Sequence, residues 1–163
     1  MWLLIISTVA FIILFWMFYT KFFGAEYYPA GKRVIDKAIE YSGLKKNEVF
    51  YDLGSGDGKV LLSACRKCKK AVGIEIDPLR VLWSRLKTKG KNIEIIKGNF
   101  YSHNLRDADV IFIYLRQWTN DRLEQKFLNE LKKWTRVVSY YWKLNNLNPY
   151  KFDEKLKVYA YRI

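Results

Sequence analysis

The sequence predicts an α/β fold: a doubly wound, mostly parallel sheet, preceded by one apolar N-terminal helix. Three observations carry this. From residue 48 onward, short apolar runs alternate with amphipathic segments, as strands alternate with helices. A glycine-rich loop, GSGDGK (54–59), directly follows the first run, the place where open parallel sheets bind ligands. The opening stretch MWLLIISTVAFIILFWMFYT carries no Lys, Arg, Asp or Glu.

That stretch, as a helix, is about 30 Å long, the thickness of a bilayer core. Trp2 lies near one end, and Trp16, Tyr19, Phe22 and Phe23 crowd the other, as interfacial aromatics do. A cleaved signal peptide needs a basic start and small residues at its cleavage site, and neither is present. Residues 1–23 are therefore expected to be a retained transmembrane anchor, 24–30 a linker and 31–163 the globular domain. Lys21, Lys32 and Arg33 all follow the apolar run, which places that domain on the cytoplasmic side by the positive-inside rule.

Within the domain, Val34, Ile35, Ala38 and Ile39 recur at helical spacing, with Gly43 as the stop. EVFYDL (48–53) reads as a buried strand, and Val60 to Cys68 as the helix after the glycine loop. KAVGIEI (70–76) is a second strand. Asp77 then offers an N-cap and Pro78 a first helical residue. The helix that follows runs to about Lys89 and is expected to bury Leu79, Leu82, Trp83 and Leu86. NIEIIK (92–97) and ADVIFIYL (108–115) are the third and fourth strands. A helix from Thr119 to Leu131 turns Leu123, Phe127, Leu128 and Leu131 inward. TRVVSYYW (135–142) is a fifth strand, NNLNP (145–149) a turn, and KLKVYAYRI (155–163) a final alternating strand.

Composition narrows the function classes. The chain has 163 residues, 29 Lys plus Arg against 16 Asp plus Glu, and a net charge of +13. An apolar share of 50% excludes general disorder. Two cysteines exclude a disulfide scaffold. Cys65, Cys68 and the lone His103 are one ligand short of a structural zinc site, so no metal is expected. Both cysteines are expected on the helix after the glycine loop, past its start, where nothing lowers a thiol pKa.

The chemical signal is the loop. Asp52 closes the first strand, and Gly54, Gly56 and Gly58 alternate with Ser55 and Asp57. Glycines let the backbone turn tightly and let a ligand approach without a Cβ clash. About twenty residues on, Glu75 ends the second strand, where a carboxylate can accept bonds from ribose hydroxyls. A P-loop requires GxxxxGK[ST], which is absent, and the dinucleotide fingerprint fails because its third glycine position is Lys59.

An acid, one residue, GxGxG and a later acid resembles the class I S-adenosylmethionine-dependent methyltransferases, with a Rossmann-like fold trimmed close to its minimum. The likeness covers roughly residues 47–142. It implies S-adenosyl-L-methionine as cofactor, with Asp52 and the 54–58 backbone near its amino-acid end, Glu75 on the ribose and Ile76 against the adenine. Family members often have an acid ending the third strand. Asn99, beside Phe100, stands there instead, and its amide oxygen can accept the same bond.

Tyr27-Tyr28-Pro29, YDLGSGDGK, GIEIDP, ADVIFIYL and TRVVS, together with the apolar N-terminus, are similar to the small membrane-anchored protein lysine methyltransferases of mitochondria and their prokaryotic relatives. That resemblance implies a lysine of a membrane-associated protein as substrate and direct in-line methyl transfer. Tyr28 and Tyr114 are the candidates for an aromatic slot around the lysine, with Trp118 and Glu26 behind them. The [DNS]PP[YFW] tetrapeptide of amino-methylating nucleic-acid enzymes is absent after the fourth strand, which reads Ile113-Tyr114-Leu115-Arg116-Gln117. An RNA or small-molecule (including lipid) methyltransferase and a non-catalytic cofactor-binding module remain open alternatives. The basic charge is expected to face a membrane or an acidic partner first and RNA second.

Overall fold

The computed structural model describes residues 2–23 and 29–163, with only the backbone described at 13 and 15–23. Helix α1 spans Trp2–Phe23 and α2 spans Lys32–Ser42. Then come β1 (Val49–Leu53), α3 (Lys59–Ala64), β2 (Lys70–Glu75), α4 (Pro78–Thr88), β3 (Ile93–Lys97), β4 (Val110–Ile113), α5 (Gln117–Glu130), β5 (Arg136–Tyr140), β6 (Lys151–Asp153) and β7 (Val158–Arg162). The strands form one sheet in the order β3-β2-β1-β4-β5-β7-β6. β1 to β5 are parallel, whereas β7 runs antiparallel to both β5 and β6. The chain order reverses between β1 and β4, so the crevice at the carboxyl ends of those strands is the natural ligand site.

Both faces of the sheet are covered, and neighbouring residues along a strand point to opposite cores. Phe50, Ala71, Val110, Phe112 and Val138 pack with Ile35, Ala38, Leu61 and Val81 under α2, α3 and α4. Tyr51, Val72, Ile111, Ile113 and Val137 pack on the other face with Leu123 and Phe127 of α5. The parallel sheet and the alternation of elements are as the sequence leads one to expect.

Several expectations need correction. Among the described residues no helix is long and apolar enough to cross a membrane, so the anchor expected over 1–23 is not recovered as a span. The described side chains of α1, 2–12 and 14, are exposed and mostly apolar. The linker residues 24–28, including Glu26, Tyr27 and Tyr28, lie outside the described residues. Helix α3 stops at Ala64, so Cys65 is its C-cap and Cys68 lies in the turn beyond. Burial pushes the Cys68 thiol up to about 11, which keeps it protonated and unreactive at neutral pH.

The largest correction concerns α4. Leu79, Leu82, Trp83 and Leu86 face solvent, and Val81, Ser84 and Thr88 are buried instead. Leu128 is likewise exposed. Periodicity identifies an apolar stripe but does not say whether the sheet or something else covers it. The C-terminal region also differs: residues 151–153 form a short edge strand, and the last strand begins at Val158 after a turn with Lys157 at φ 52°.

Gly73, in the middle of β2, lets α3 and the glycine loop lie flat on the sheet. A Cβ there would fall 2.5 Å from Leu61 Cδ1 and 2.6 Å from Ser55 Oγ. Gly73→Ala is therefore expected to lower the unfolding free energy by about 1–3 kcal/mol through overpacking, read from urea melts. An unchanged midpoint would show that the contact yields without cost.

Candidate active site

The glycine loop crosses the carboxyl ends of β1 and β2. The Gly54 and Ser55 N–H groups both donate to the Ile74 carbonyl, at 2.8 and 3.1 Å. Gly54, Gly56 and Gly58 have φ of 81°, 53° and 76°, the left-handed region that favours glycine. A Cβ on Gly58 would also press on Ser84 and Thr88 of α4, at 3.4 Å each.

Glu75 fastens this loop to the sheet. Its Oε2 accepts from the Gly56 N–H, and its Oε1 accepts from the Ile76 and Asp77 N–H groups, each at 2.9 Å. The carboxylate is buried, 4% exposed, so these charge-assisted bonds offset its desolvation. Asp77 then caps α4, its Oδ1 accepting from Leu79 N–H at 2.8 Å and Arg80 N–H at 3.2 Å. Asp57 ties the loop outward through a 2.8 Å ion pair with Lys87 of α4.

A cavity of about 950 Å³ opens beside the loop. Of the residues singled out in the sequence, it is lined by Asp52, Gly54, Ser55, Gly56, Asp57, Glu75, Ile76, Asn99, Phe100, Tyr114 and Trp118. Gly58 lies outside the lining and serves the turn into α3. Asn99 Oδ1 accepts from the Tyr101 N–H at 2.9 Å, so part of the capacity expected to meet the adenine shapes its own turn. His103 is a half-buried loop residue with its ring 6.1 Å from that of Tyr51.

Part of the lining is aromatic. Tyr114 packs on Tyr140 with the rings tilted by 49° and their centroids 4.3 Å apart, Tyr140 abuts Tyr141, and Tyr141 meets Trp142 edge-on at 5.1 Å. Tyr141 and Trp142 both line the cavity and were not singled out from sequence. They read there as the end of a strand, but Tyr141 leaves the strand at φ 73°. The lip is held by Tyr141 N–H to the Lys157 carbonyl at 2.7 Å, by Trp142 N–H to the Tyr140 carbonyl at 3.0 Å, and by Asn120 Nδ2, at 3.1 Å, and Ser139 Oγ, both donating to the Trp142 carbonyl. The Lys157 ammonium sits 4.0 Å from the Tyr141 ring centroid.

The lining also holds buried polar groups whose chemistry suits a cation and a hydrogen-bonding group. Asp52, one of them, is 3% exposed. Burial first, then the Glu75 and Asp57 carboxylates, push its carboxyl up to about 8. Ser55 Oγ is buried with no hydrogen-bond partner among the described residues. An amino acid with ammonium and carboxylate ends, joined to a nucleoside, fits this donor set. Among the described residues no group of His, Cys, Asp and Glu is placed to hold a metal.

A sheet in this order, with an acid, a GxGxG loop and a second acid at its switch point, defines a class I S-adenosylmethionine-dependent methyltransferase. Comparison with known proteins agrees. The ANTKMT methyltransferase domain family matches residues 52–151, and the chain belongs to that family. It is 32% identical over 129 residues to a protein-lysine N-methyltransferase of Saccharolobus islandicus, covering 76% of this chain and 80% of that one. A lysine N-methyltransferase of Caenorhabditis elegans, named for an ATP synthase subunit, is 24% identical over 119 residues, covering 71% and 62%. Among solved structures, an RNA methyltransferase from Salinibacter ruber in complex with S-adenosyl-L-homocysteine superposes with TM-score 0.78 at 30% identity, covering 83% of this chain and 94% of that one. The cofactor is S-adenosyl-L-methionine.

Asp52 gives a pH test. Its folded pKa lies above the unfolded value of about 3.9, so the stability it contributes is full below that value and is lost as pH rises through about 8. A bound ammonium reverses the preference and draws the proton off. Calorimetric affinity for S-adenosylhomocysteine is expected to rise as pH climbs toward about 8, with proton release, and Asp52→Asn to flatten the profile. A flat wild-type profile would remove Asp52 as the ammonium's partner.

Proposed function

We propose that the protein methylates lysine side chains of membrane-associated proteins. The observation that carries this is the aromatic share of the cavity lining, Tyr114, Trp118, Tyr141 and Trp142. Flat rings suit the long apolar stem of a lysine and its ammonium head. The Lys157 ammonium over Tyr141 makes, within the chain, the type of contact that a target lysine would make.

Bound S-adenosylmethionine supplies a methyl group already made electrophilic by its sulfonium. The chain's residues then have two tasks. The aromatic lip orients the lysine nitrogen in line with the methyl, and such placement supplies much of the rate. The apolar walls also favour the neutral amine over the ammonium, whose free pKa is about 10.4. Tyr28 is proposed for the same slot by its nearness in sequence to Pro29 and Ala30, which line the cavity. Glu75, in addition to fastening the loop, is proposed to accept a ribose hydroxyl.

The exposed apolar side chains of α1, from Trp2 to Leu14, support its role as a membrane tether, with the domain on the cytoplasmic side. The likeness to the Salinibacter ruber RNA methyltransferase and the charge of +13 favour RNA as the second reading.

Incubation with methyl-labelled cofactor and membrane extract is expected to label a protein band, and Gly56→Arg to abolish the label. Label confined to RNA or lipid overturns the lysine reading. Trp142→Ala is expected to lower kcat/KM for the protein target about tenfold or more by misplacing it, with cofactor affinity unchanged. Removal of residues 1–23 should slow methylation of a membrane-held target only, and an equal rate would argue against the tether.

A further inference from the structure

We propose that α4 is a second membrane-contacting element, an amphipathic helix whose outward apolar crest seats in the surface of an anionic bilayer. The helix packs on the sheet through Val81, Ser84 and Thr88. Its opposite face presents Leu79, Leu82, Trp83 and Leu86 at i, i+3, i+4 and i+7, exposed by 51, 57, 58 and 62%. Single exposed leucines are ordinary on a protein surface, but a contiguous crest of this kind marks an interaction site. Ile76, 49% exposed, extends the crest to the cavity lip.

The surrounding charge identifies the occupant. The helix PLRVLWSRLKT has three basic residues and no acid, and Lys89 and Lys91 follow it. At about 100° per residue, Arg80 and Lys87 fall on one flank of the crest and Arg85 and Lys89 on the other. An apolar face containing tryptophan, edged by cations on both sides, is the composition of helices that lie in the headgroup region. Arg80 and Lys87 are paired within the chain to Asp77 and Asp57, whereas Arg85 binds the neutral Ile95 carbonyl and, with Lys89 and Lys91, keeps the helix surround net positive, which anionic headgroups match. A second copy meeting this one crest to crest would set like charges against like.

Seating α4 also sets the direction of the active site. Ile76 and Arg80 line the cavity near the start of α4, and Pro29 and Ala30, where the chain enters the domain, line it as well. Two attachments therefore flank one mouth and bring it to the lipid surface. This inference deepens the membrane reading above, yet it rests on α4 alone.

The test uses the full chain and vesicles with brominated acyl chains, either phosphatidylcholine alone or an equal mixture with phosphatidylglycerol. Trp83 emission is taken as wild type minus Trp83→Phe. On the mixture, Trp83 is expected to lose most of its emission, with at least twofold weaker quenching on phosphatidylcholine alone. The Leu82→Glu/Leu86→Glu variant is expected to lose the quenching. Both positions are exposed, and a matching thermal melt would confirm that the variant is folded. A chain that fails to float with the mixed vesicles overturns this inference and the tether alike. A chain that floats with Trp83 unquenched overturns this inference alone, whether a second copy or α1 covers the crest. Quenching that survives in the double variant, or is equal on both vesicles, overturns it too.

Discussion

The Glu75 carboxylate is the contact on which the site depends. It gathers three backbone N–H groups from Gly56, Ile76 and Asp77, and so joins the glycine loop, the end of β2 and the cap of α4 at one point. Hydrogen bonds to a charged group are worth about 1.5–3 kcal/mol each, enough to hold three left-handed glycines in a single arrangement. The same charge has a second effect. It stands near Asp52, which has no comparable set of donors, and it helps to raise that carboxyl. One carboxylate is satisfied by backbone donors, whereas no such set of donors meets the other among the described residues.

Much of this was legible because it is local. Alternating glycines after an apolar run, with acids at fixed offsets, constrain the backbone in any fold that contains them. The parallel sheet followed from the spacing of the runs. What escaped depends on contacts between distant segments. Tyr141 and Trp142 join the cavity because Lys157 and Asn120, distant in sequence, hold the chain together with Ser139 as it leaves β5. The six-residue α3 ends early, before the turn 65–69. Gly73 lies within a strand run, and only the fold shows that Leu61 and Ser55 occupy the space its Cβ would need.

The misplaced face of α4 has a different cause. Leu79, Leu82, Trp83 and Leu86 have the spacing of a core stripe, and a soluble domain would bury such a stripe. The sheet beneath α4 needs only Val81 and small polar residues, because β2 and β3 lie close beneath the helix. The charge of +13 gains a more specific meaning here. Part of it, from Arg80, Arg85 and Lys87, lies on the same helix as this crest.

The order of the sheet divides the labour along the chain. The half that runs β1, β2, β3 carries Asp52, the glycine loop, Glu75 and Asn99, whereas the half that runs β4, β5, β7, β6 carries Tyr114, Tyr141, Trp142 and Lys157. The two halves meet along a single strand pair, β1 with β4. On the proposed function the acceptor side lies in the second half, so much of it can be revised while the methyl-donor motif is kept. A lineage of such enzymes can change targets by drift in its C-terminal third while its N-terminal motif stays fixed, and an engineer seeking a new acceptor would randomise that same third.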